Sequence, residues 1–458
     1  MLFSSPEFLF LFLPIAMLIY FALPPRLRNG ALLFVSLLFY GVSQPKYLLL
    51  LIATVGLTFA FGLAMRTRRK RVWLILAVAL NLSALVIFKY YNLFAGLLRG
   101  IPSSPFEDLP VLELGLPVGI SFYTFAAISY LVDVYRGEEA QRNIVSLGTY
   151  ISMFPQISAG PIVKYRDIHR SLAGRDSSLY NIERGIMRFV CGLSKKLLIA
   201  DPCNEMWQTF LSADTVLGAW LALLFFSLRI YFDFSGYSDM AIGLGRILGF
   251  DFPENFNYPY VADGIKDFWR RWHISLSTWF RDYVYIPLGG NRCGTARTVL
   301  NMLAVWLLTG LWHGASLNFV LWGLYYFALL VLERFVFGRA LARLPLGLRR
   351  ALTLLLVGLG WLIFAFEDIS ELLRCVRLML GAGGFCSRED IYELCRSAVL
   401  LVVAVVGATP LPKRIWASLR RGGRAERAAV LVCTVMTFVV CVAYLADSSY
   451  SPFLYFKF

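Results

Sequence analysis

The chain has 458 residues, of which 58% are hydrophobic, 16% aromatic and only 16% charged, and its mean hydropathy is +0.65. Soluble domains are nearer half apolar and a quarter charged, so a soluble enzyme is disfavoured, and ordinary numbers of glycine (36) and proline (19) exclude collagen-like and low-complexity chains. Lysine and arginine exceed aspartate and glutamate by 44 to 29, an excess that in a membrane protein marks cytoplasmic loops rather than a nucleic-acid surface.

Crossing a bilayer takes about 20 apolar residues. Phe8–Leu23 is apolar, follows only Glu7, and has neither a basic n-region nor a small-residue cleavage site, so it reads as a retained first span. Further spans are predicted at Leu48–Ala64, Val72–Leu97, Leu116–Val134, Val216–Phe232, Val299–Trp312, Leu317–Leu332, Ala351–Phe366, Ser397–Gly407 and Ala428–Leu445. The apolar pieces Ala31–Tyr40, Ile144–Ile162, Gly185–Ala200 and Met240–Phe250 are shorter or broken and suit tilted or re-entrant segments buried in protein. The implied fold is all-α and polytopic, a single membrane domain over 1–458 with about eleven spanning helices plus re-entrant and interfacial ones. No internal repeat is evident, which weakens an inverted-repeat transporter.

The loops are charged asymmetrically. Arg66–Arg71 holds five basic residues in six, Arg334–Arg350 five arginines and no acid, and Lys413–Arg427 six basic residues and one acid, Glu426. Acidic loops alternate with them: Glu107, Asp108 and Glu113, then Asp201, Glu205 and Asp214, then Glu367, Asp368 and Glu371. Placing the basic loops in the cytoplasm puts the N-terminus outside.

From Asp251 to Arg297 the chain is too polar to span and too aromatic for a solvated loop. Gly264–Tyr285 is predicted as one amphipathic or partly buried helix at the cytoplasmic interface. Phe256–Tyr260 is predicted as an extended turn, because Pro259 disfavours helical backbone at Tyr258. The eight cysteines form no CxxC pair and histidine numbers three, so no metal site is expected. Cys375, Cys386 and Cys395 bracket a loop with room for one disulfide.

Three histidines allow each to be weighed. His169 lies among charges in KYRDIHRSL and reads as an ordinary interfacial residue. His273 stands between tryptophans and beside arginines in FWRRWHISLSTW, and His313 lies between two apolar runs in LLTGLWHGASLNFVLW. A neutral imidazole is the side chain best suited to moving a proton near pH 7, and an ionisable residue in the membrane defaults to a functional role. Gly310 and Gly314 bracket His313 and let another backbone or a ligand come close. Polar residues also cluster in apolar surroundings at Asp233, Ser235, Tyr237, Ser238, Asp239 and Asn257, and around Pro155, Gln156, Gly160 and Pro161. FSGYS lacks the first glycine of a nucleophile elbow, and the glycines of Ala241–Gly249 follow no predicted strand, so they read as helix packing.

The sequence resembles the membrane-bound O-acyltransferase family, in the bacterial branch of alginate and peptidoglycan O-acetyltransferase membrane subunits. Five motifs carry the likeness: LPVGISFYTFAAISYLVDVYRG, MFPQISAGPIVKY, FDFSGYSDMAIGLGRILGFDFPENFNYPY, DFWRRWHISLSTWFRDYVYIPLGGNR and GLWHGASLNFVLWG. The likeness is strongest from Met1 to about Glu333. It implies a catalytic core near 116–335, C-terminal helices over 351–458, and a tunnel through the membrane centred on the histidine matching His313. It implies O-acyl transfer from a cytoplasmic thioester donor, acetyl-CoA, to a glycan hydroxyl, with no permanently bound cofactor. His313 is then the expected general base, and His273 the residue that orients or polarises the donor carbonyl or supports the oxyanion. Arg270, Arg271 and Arg281 would meet donor phosphates or an acidic carrier, with Asn257, Tyr237 and Asp239 completing the donor site. Topology alone accounts for those arginines equally well. No soluble extracytoplasmic domain is read, so an esterase-fold partner on the periplasmic or outer surface is expected, as are lipids and a glycan acceptor but no nucleic acid. The expected location is the bacterial inner membrane. D-alanyl transfer to teichoic acid is the neighbouring enzyme reading. A non-enzymatic transporter of an acylated intermediate is the reading from another class, and a protein-palmitoylating or sterol-acylating relative fits less well.

The charge asymmetry makes a topological prediction. A cysteine placed at Thr67 should resist an impermeant thiol reagent applied to intact cells, whereas one in the 201–214 loop should react; labelling at Thr67 from outside would overturn the orientation.

Overall fold

The computed structural model describes residues 1–99, 105–106, 109–112, 115–419 and 423–447. Among these the secondary structure is helical, apart from an isolated bridge between Thr215 and Gly384. Among the described residues six helices are long and apolar enough to cross a bilayer: Pro45–Ala64, Lys70–Arg99, Val216–Ile247, Leu317–Arg343, Leu346–Ala365 and Ala425–Ala446; the pair Ala398–Gly407 and Leu411–Ser418, bent by 72°, would make a seventh if it crosses as one. The protein is therefore a multi-pass, all-α membrane protein. Helices also stand at the expected spans Ile120–Arg136 and Gly294–His313, outside that set of six. Glu107, Asp108, Glu113 and the aromatic C-terminal stretch SPFLYFKF lie outside the described residues.

Three sequence expectations are corrected. Met240–Phe250 is no separate segment, because the helix begun at Val216 runs unbroken to Ile247. Gly264–Tyr285 is not one helix: it is interrupted at Trp272 and His273, where His273 takes a left-handed backbone (φ 44°). Tyr258 is likewise left-handed (φ 48°) rather than extended; proline denies it the right-handed helical region, and Pro259–Val261 then forms one turn of 3₁₀ helix. All eight cysteines are free thiols, so Cys375, Cys386 and Cys395 form no disulfide.

Backbone proximity divides the chain into two compact units, Met1–Ile186 with Ala241–Pro253, and Met187–Met240 with Glu254–Phe458. In the first, Phe3, Phe8, Phe12, Phe39 and Phe154 pack ring against ring. The motif MFPQISAG makes a short turn of helix at Phe154–Ile157. Gly160 lies so close to it that a Cβ would fall 2.6 Å from the Pro155 carbonyl oxygen, and Gln156 donates to the Tyr150 carbonyl.

The second unit carries the histidines of interest. Its relevant helices are α1 (Leu179–Ser194, of which Met187 onward belongs here), α2 (Val216–Ile247, to Met240), α3 (Ile265–Arg271), α4 (Ile274–Phe280), α5 (Gly294–His313), α6 (Leu317–Leu332) and α7 (Leu346–Ala365). Two glycine contacts set their spacing. A Cβ on Gly192 would lie 2.4 Å from the Gly236 carbonyl oxygen, so α1 and α2 touch backbone to backbone. That contact brings Arg188 and Lys195 onto Asp239, each at 2.6 Å, and Lys196 onto Asp233 and Asp201 at 2.8 and 2.7 Å. Arg229, also buried, lies within electrostatic reach of the same two carboxylates.

The second contact joins α5 and α6. A Cβ on Gly310 would lie 2.3 Å from the Phe319 carbonyl oxygen, and one on Gly323 would lie 2.5 Å from that of Trp306. A Cβ on Gly314 would meet the Phe319 ring at 2.2 Å. The glycines around His313 thus admit a neighbouring helix. Gly310→Val should force α5 and α6 apart at a cost of about 1–3 kcal/mol, the range for overpacking. It should lower the thermal midpoint measured by size exclusion in detergent, while Gly347→Ala, at an open position, leaves it unchanged.

Candidate active site

His273 sits at the start of α4, 1% exposed. Breaking a helix here frees backbone donors that burial makes costly to leave unpaired. Asn255 pairs them. Its carbonyl oxygen accepts the Ile274 amide at 3.0 Å, and its side-chain Oδ1 accepts the Ser275 amide at 3.2 Å and the Ser275 hydroxyl at 2.9 Å. Its Nδ2 donates to Ser238 Oγ on α2 at 3.0 Å. A backbone amide can only donate, so the atom facing Ser275 must be the oxygen, which fixes the orientation of the Asn255 amide. His273 Nδ1 lies 3.1 Å from that same oxygen. The Phe234 ring lies edge-on to the imidazole at 4.7 Å. Burial pushes the His273 pKa down to about 3, so the ring is neutral in the physiological range.

His313 is the last residue of α5 and is 4% exposed. Its ring is surrounded by Trp312 at 4.7 Å, Trp322 at 4.9 Å and Phe364 at 5.1 Å, with Phe319 at 6.3 Å. Trp312 also approaches His273, at 5.8 Å, so one indole lines both imidazoles. Asn318 at the start of α6 donates to the carbonyls of Ile363 and Phe364 on α7 at 3.4 and 3.3 Å, which fixes the Phe364 side of the wall. Asn318 Oδ1 and Trp322 Nε1 are buried polar atoms with no hydrogen-bond partner among the described residues. Such atoms are uncommon in packed interiors.

Two cavities adjoin this region. One of about 740 Å³ is lined by Lys266, Arg270, Tyr285, Glu333, Arg334 and Arg349 among others. The second, about 320 Å³, shares Lys266, Arg270 and Tyr285 and continues along Trp269, Trp306 and Arg281. The larger cavity is a polar vestibule and the smaller an aromatic pocket; they share lining residues, and neither is lined by His273 or His313. Glu333, which lines the vestibule, accepts the amides of Ile265 (2.6 Å) and Lys266 (3.2 Å) at the start of α3.

The candidate donor residues separate on this geometry. Arg270 lines both cavities and Arg281 the smaller, although Arg281 also pairs with Asp282 at 2.7 Å. Arg271 is turned to Asp267 at 2.8 Å and to the Asn257 carbonyl at 3.3 Å, and lines neither cavity. Asn257 is exposed and pairs through its backbone with Arg271. Asp239 is held by Arg188 and Lys195, and Tyr237 is fully buried on α2. His169 is a half-buried residue of the first unit, 3.8 Å from Glu138. Sequence reasoning missed Asn255, two residues from the asparagine it chose, and the lysine Lys266. Among the described residues no group of His, Cys, Asp and Glu could hold a metal ion.

A sequence model described as "MBOAT, membrane-bound O-acyltransferase family" matches residues 81–366. The chain belongs to that family. The matched span contains both buried histidines, Asn255 and the walls of both cavities. The chain is 38% identical to the probable alginate O-acetylase AlgI of Azotobacter vinelandii, with 100% of each chain covered. It is 34% identical to the peptidoglycan O-acetyltransferase of Helicobacter pylori, over 84% of this chain and 80% of that one. With the teichoic acid D-alanyltransferase of Bacillus subtilis it shares 31% identity over 55% of this chain and 67% of the relative. In this membrane-bound O-acyltransferase both buried histidines lie among aromatic rings.

Replacing His273 tests whether the site needs it. His273→Ala should cut acyl transfer strongly while leaving donor binding measurable; glycan acylation in cells at the wild-type level would return His273 to a purely structural role.

Proposed function

We propose that this enzyme takes an acetyl group from cytoplasmic acetyl-CoA and passes it across the inner membrane for O-acetylation of an exported polysaccharide or cell-wall glycan. The observation that carries the mechanism is His313, an imidazole buried at the meeting of α5, α6 and α7 beside a wall shared with His273. The names of relatives matched over all or most of their length support the acetyl group and the glycan. The D-alanyl alternative has support from a likeness covering 55% of the chain. The transporter reading gains nothing from two buried imidazoles in an O-acyltransferase.

The acceptor hydroxyl adds to the thioester carbonyl and loses its proton to His313. The tetrahedral intermediate then collapses, the carbon–sulfur bond breaks, and the thiolate takes the proton back as free thiol. A thioester is already activated, so the protein's task is to position the partners and move this proton. Other titratable side chains between Ala296 and Leu332 serve poorly. Arg297 stays protonated, and the phenols of Tyr325 and Tyr326 are directed to the carbonyls of Leu356 and Val357 on α7. Lys266, Arg270 and Arg334 suit the donor's phosphates at the vestibule. The final glycan acceptor lies beyond the membrane, so the hydroxyl acylated at His313 would be an intermediate carrier, and a separate esterase-fold protein on that side would move the acetyl group from it to the glycan.

General-base catalysis contributes roughly 10²–10⁴-fold, so His313→Ala should nearly abolish thiol release from acetyl-CoA. His313→Asn should fail as well, since an amide holds a hydrogen bond but takes no proton. Equal amounts of folded protein are compared, with size exclusion as the check. A folded His313→Ala enzyme working at the wild-type rate would overturn this mechanism; an active His313→Asn would reduce His313 to an orienting group.

A further inference from the structure

We infer that Asn255 is a positioning residue that holds His273 as the Nδ1–H tautomer, so that His273 enters the reaction as a hydrogen-bond acceptor through Nε2 and not as a donor to the oxyanion. The inference rests on the acyl-transfer reading above, and it deepens one residue's part in that reaction.

Asn255 Oδ1 is identified as oxygen by the Ser275 backbone amide, 3.2 Å away. Turning the amide over would set two N–H groups against each other. An amide oxygen can only accept, so the hydrogen between it and His273 Nδ1, at 3.1 Å, belongs to the imidazole. A neutral imidazole carries one N–H. With that hydrogen on Nδ1, Nε2 presents a lone pair. Burial keeps the ring neutral, so a second N–H is not gained by protonation. His273 therefore suits accepting a hydrogen bond from the donor's amide N–H groups or from the acceptor hydroxyl. It does not suit polarising a carbonyl.

The surroundings hold this arrangement rigidly. Asn255 is 0% exposed. It is tied to α2 through Ser238 and to α4 through Ile274 and Ser275. The left-handed backbone at His273 (φ 44°) is a conformation that non-glycine residues adopt only at an energetic cost. Here it turns the imidazole onto the same oxygen that caps the following helix. A fixed tautomer set by the partner of the other ring nitrogen is a recurrent means of giving histidine one role.

Only three histidines are present, so the full-length protein labelled with ¹⁵N-histidine in lipid nanodiscs gives a resolvable ring-nitrogen spectrum. The signals lost in His273→Ala assign the residue. Protonated Nδ1 with unprotonated Nε2 is expected; the opposite tautomer overturns the inference. Asn255→Leu should lower kcat/KM for acetyl-CoA thiol release by about 10–100-fold, as removal of an orienting partner does. A folded Asn255→Leu enzyme at the wild-type rate would also overturn it. Asn255→Asp keeps the acceptor oxygen and adds a negative charge, which favours the imidazolium. That variant should retain activity at alkaline pH and show its acid limb moved toward neutral pH. A helix cap alone would leave that limb in place, so an unmoved limb in the active variant counts against a positioning role. If Asn255→Leu does not fold, the wild-type spectrum and the Asn255→Asp profile decide. The tautomer is read without turnover, so its failure is distinct from failure of His313→Ala to lose activity.

Discussion

A hydrogen-bonding group inside an apolar protein must find a partner within the chain, and the region around His273 is organised by that requirement. Interrupting the helix between Arg271 and Ile274 frees amides that cannot turn to water. Asn255 meets them with both its backbone and its side chain. Because one oxygen serves Ser275 and His273 together, the cap and the imidazole orientation are a single arrangement. Altering either changes the other.

The second layer of organisation is the close approach of helices at glycine. Gly310 and Gly323 let α5 and α6 meet backbone to backbone, which sets His313 among Trp312, Trp322 and Phe364. Gly192 and Gly236 do the same for α1 and α2 and bring buried lysines and carboxylates into ion-pair distance. In both places the absence of a side chain determines where charged or titratable ones stand. The aromatic excess of the composition fills the space between these contacts: Trp269, Trp306, Trp322 and Tyr326 pack on one another, and Trp269 and Trp306 line the smaller cavity.

Much of this was legible in the sequence where the signal is local. Leu48–Ala64 and Leu317–Leu332 emerge as helices with the predicted bounds, because an uninterrupted apolar run has few other outcomes. His273 and His313 stood out because ionisable residues are scarce in such surroundings. The break at His273 was hidden because the run Phe268–Trp272 before it is wholly aromatic or charged and no glycine or proline stands beside it. Asn255 was hidden for a different reason. ENFNY offers two asparagines, and only the fold decides that Asn255 turns inward while Asn257 stays exposed. Arg271 and Asp239 illustrate the same limit: their residue types suit a phosphate or a donor, but partners four residues away or on another helix occupy them.

The buried cluster of Lys196, Arg229, Asp201 and Asp233 combines two formal positive charges with two negative ones. A single charge displaced through the whole membrane potential exchanges about 2.3 kcal/mol per 100 mV. A balanced foursome displaced together exchanges nothing. The helices that carry it can shift along the membrane normal during a catalytic cycle without electrical work from this cluster, so the energised state of the membrane neither drives nor resists such a movement through these four side chains.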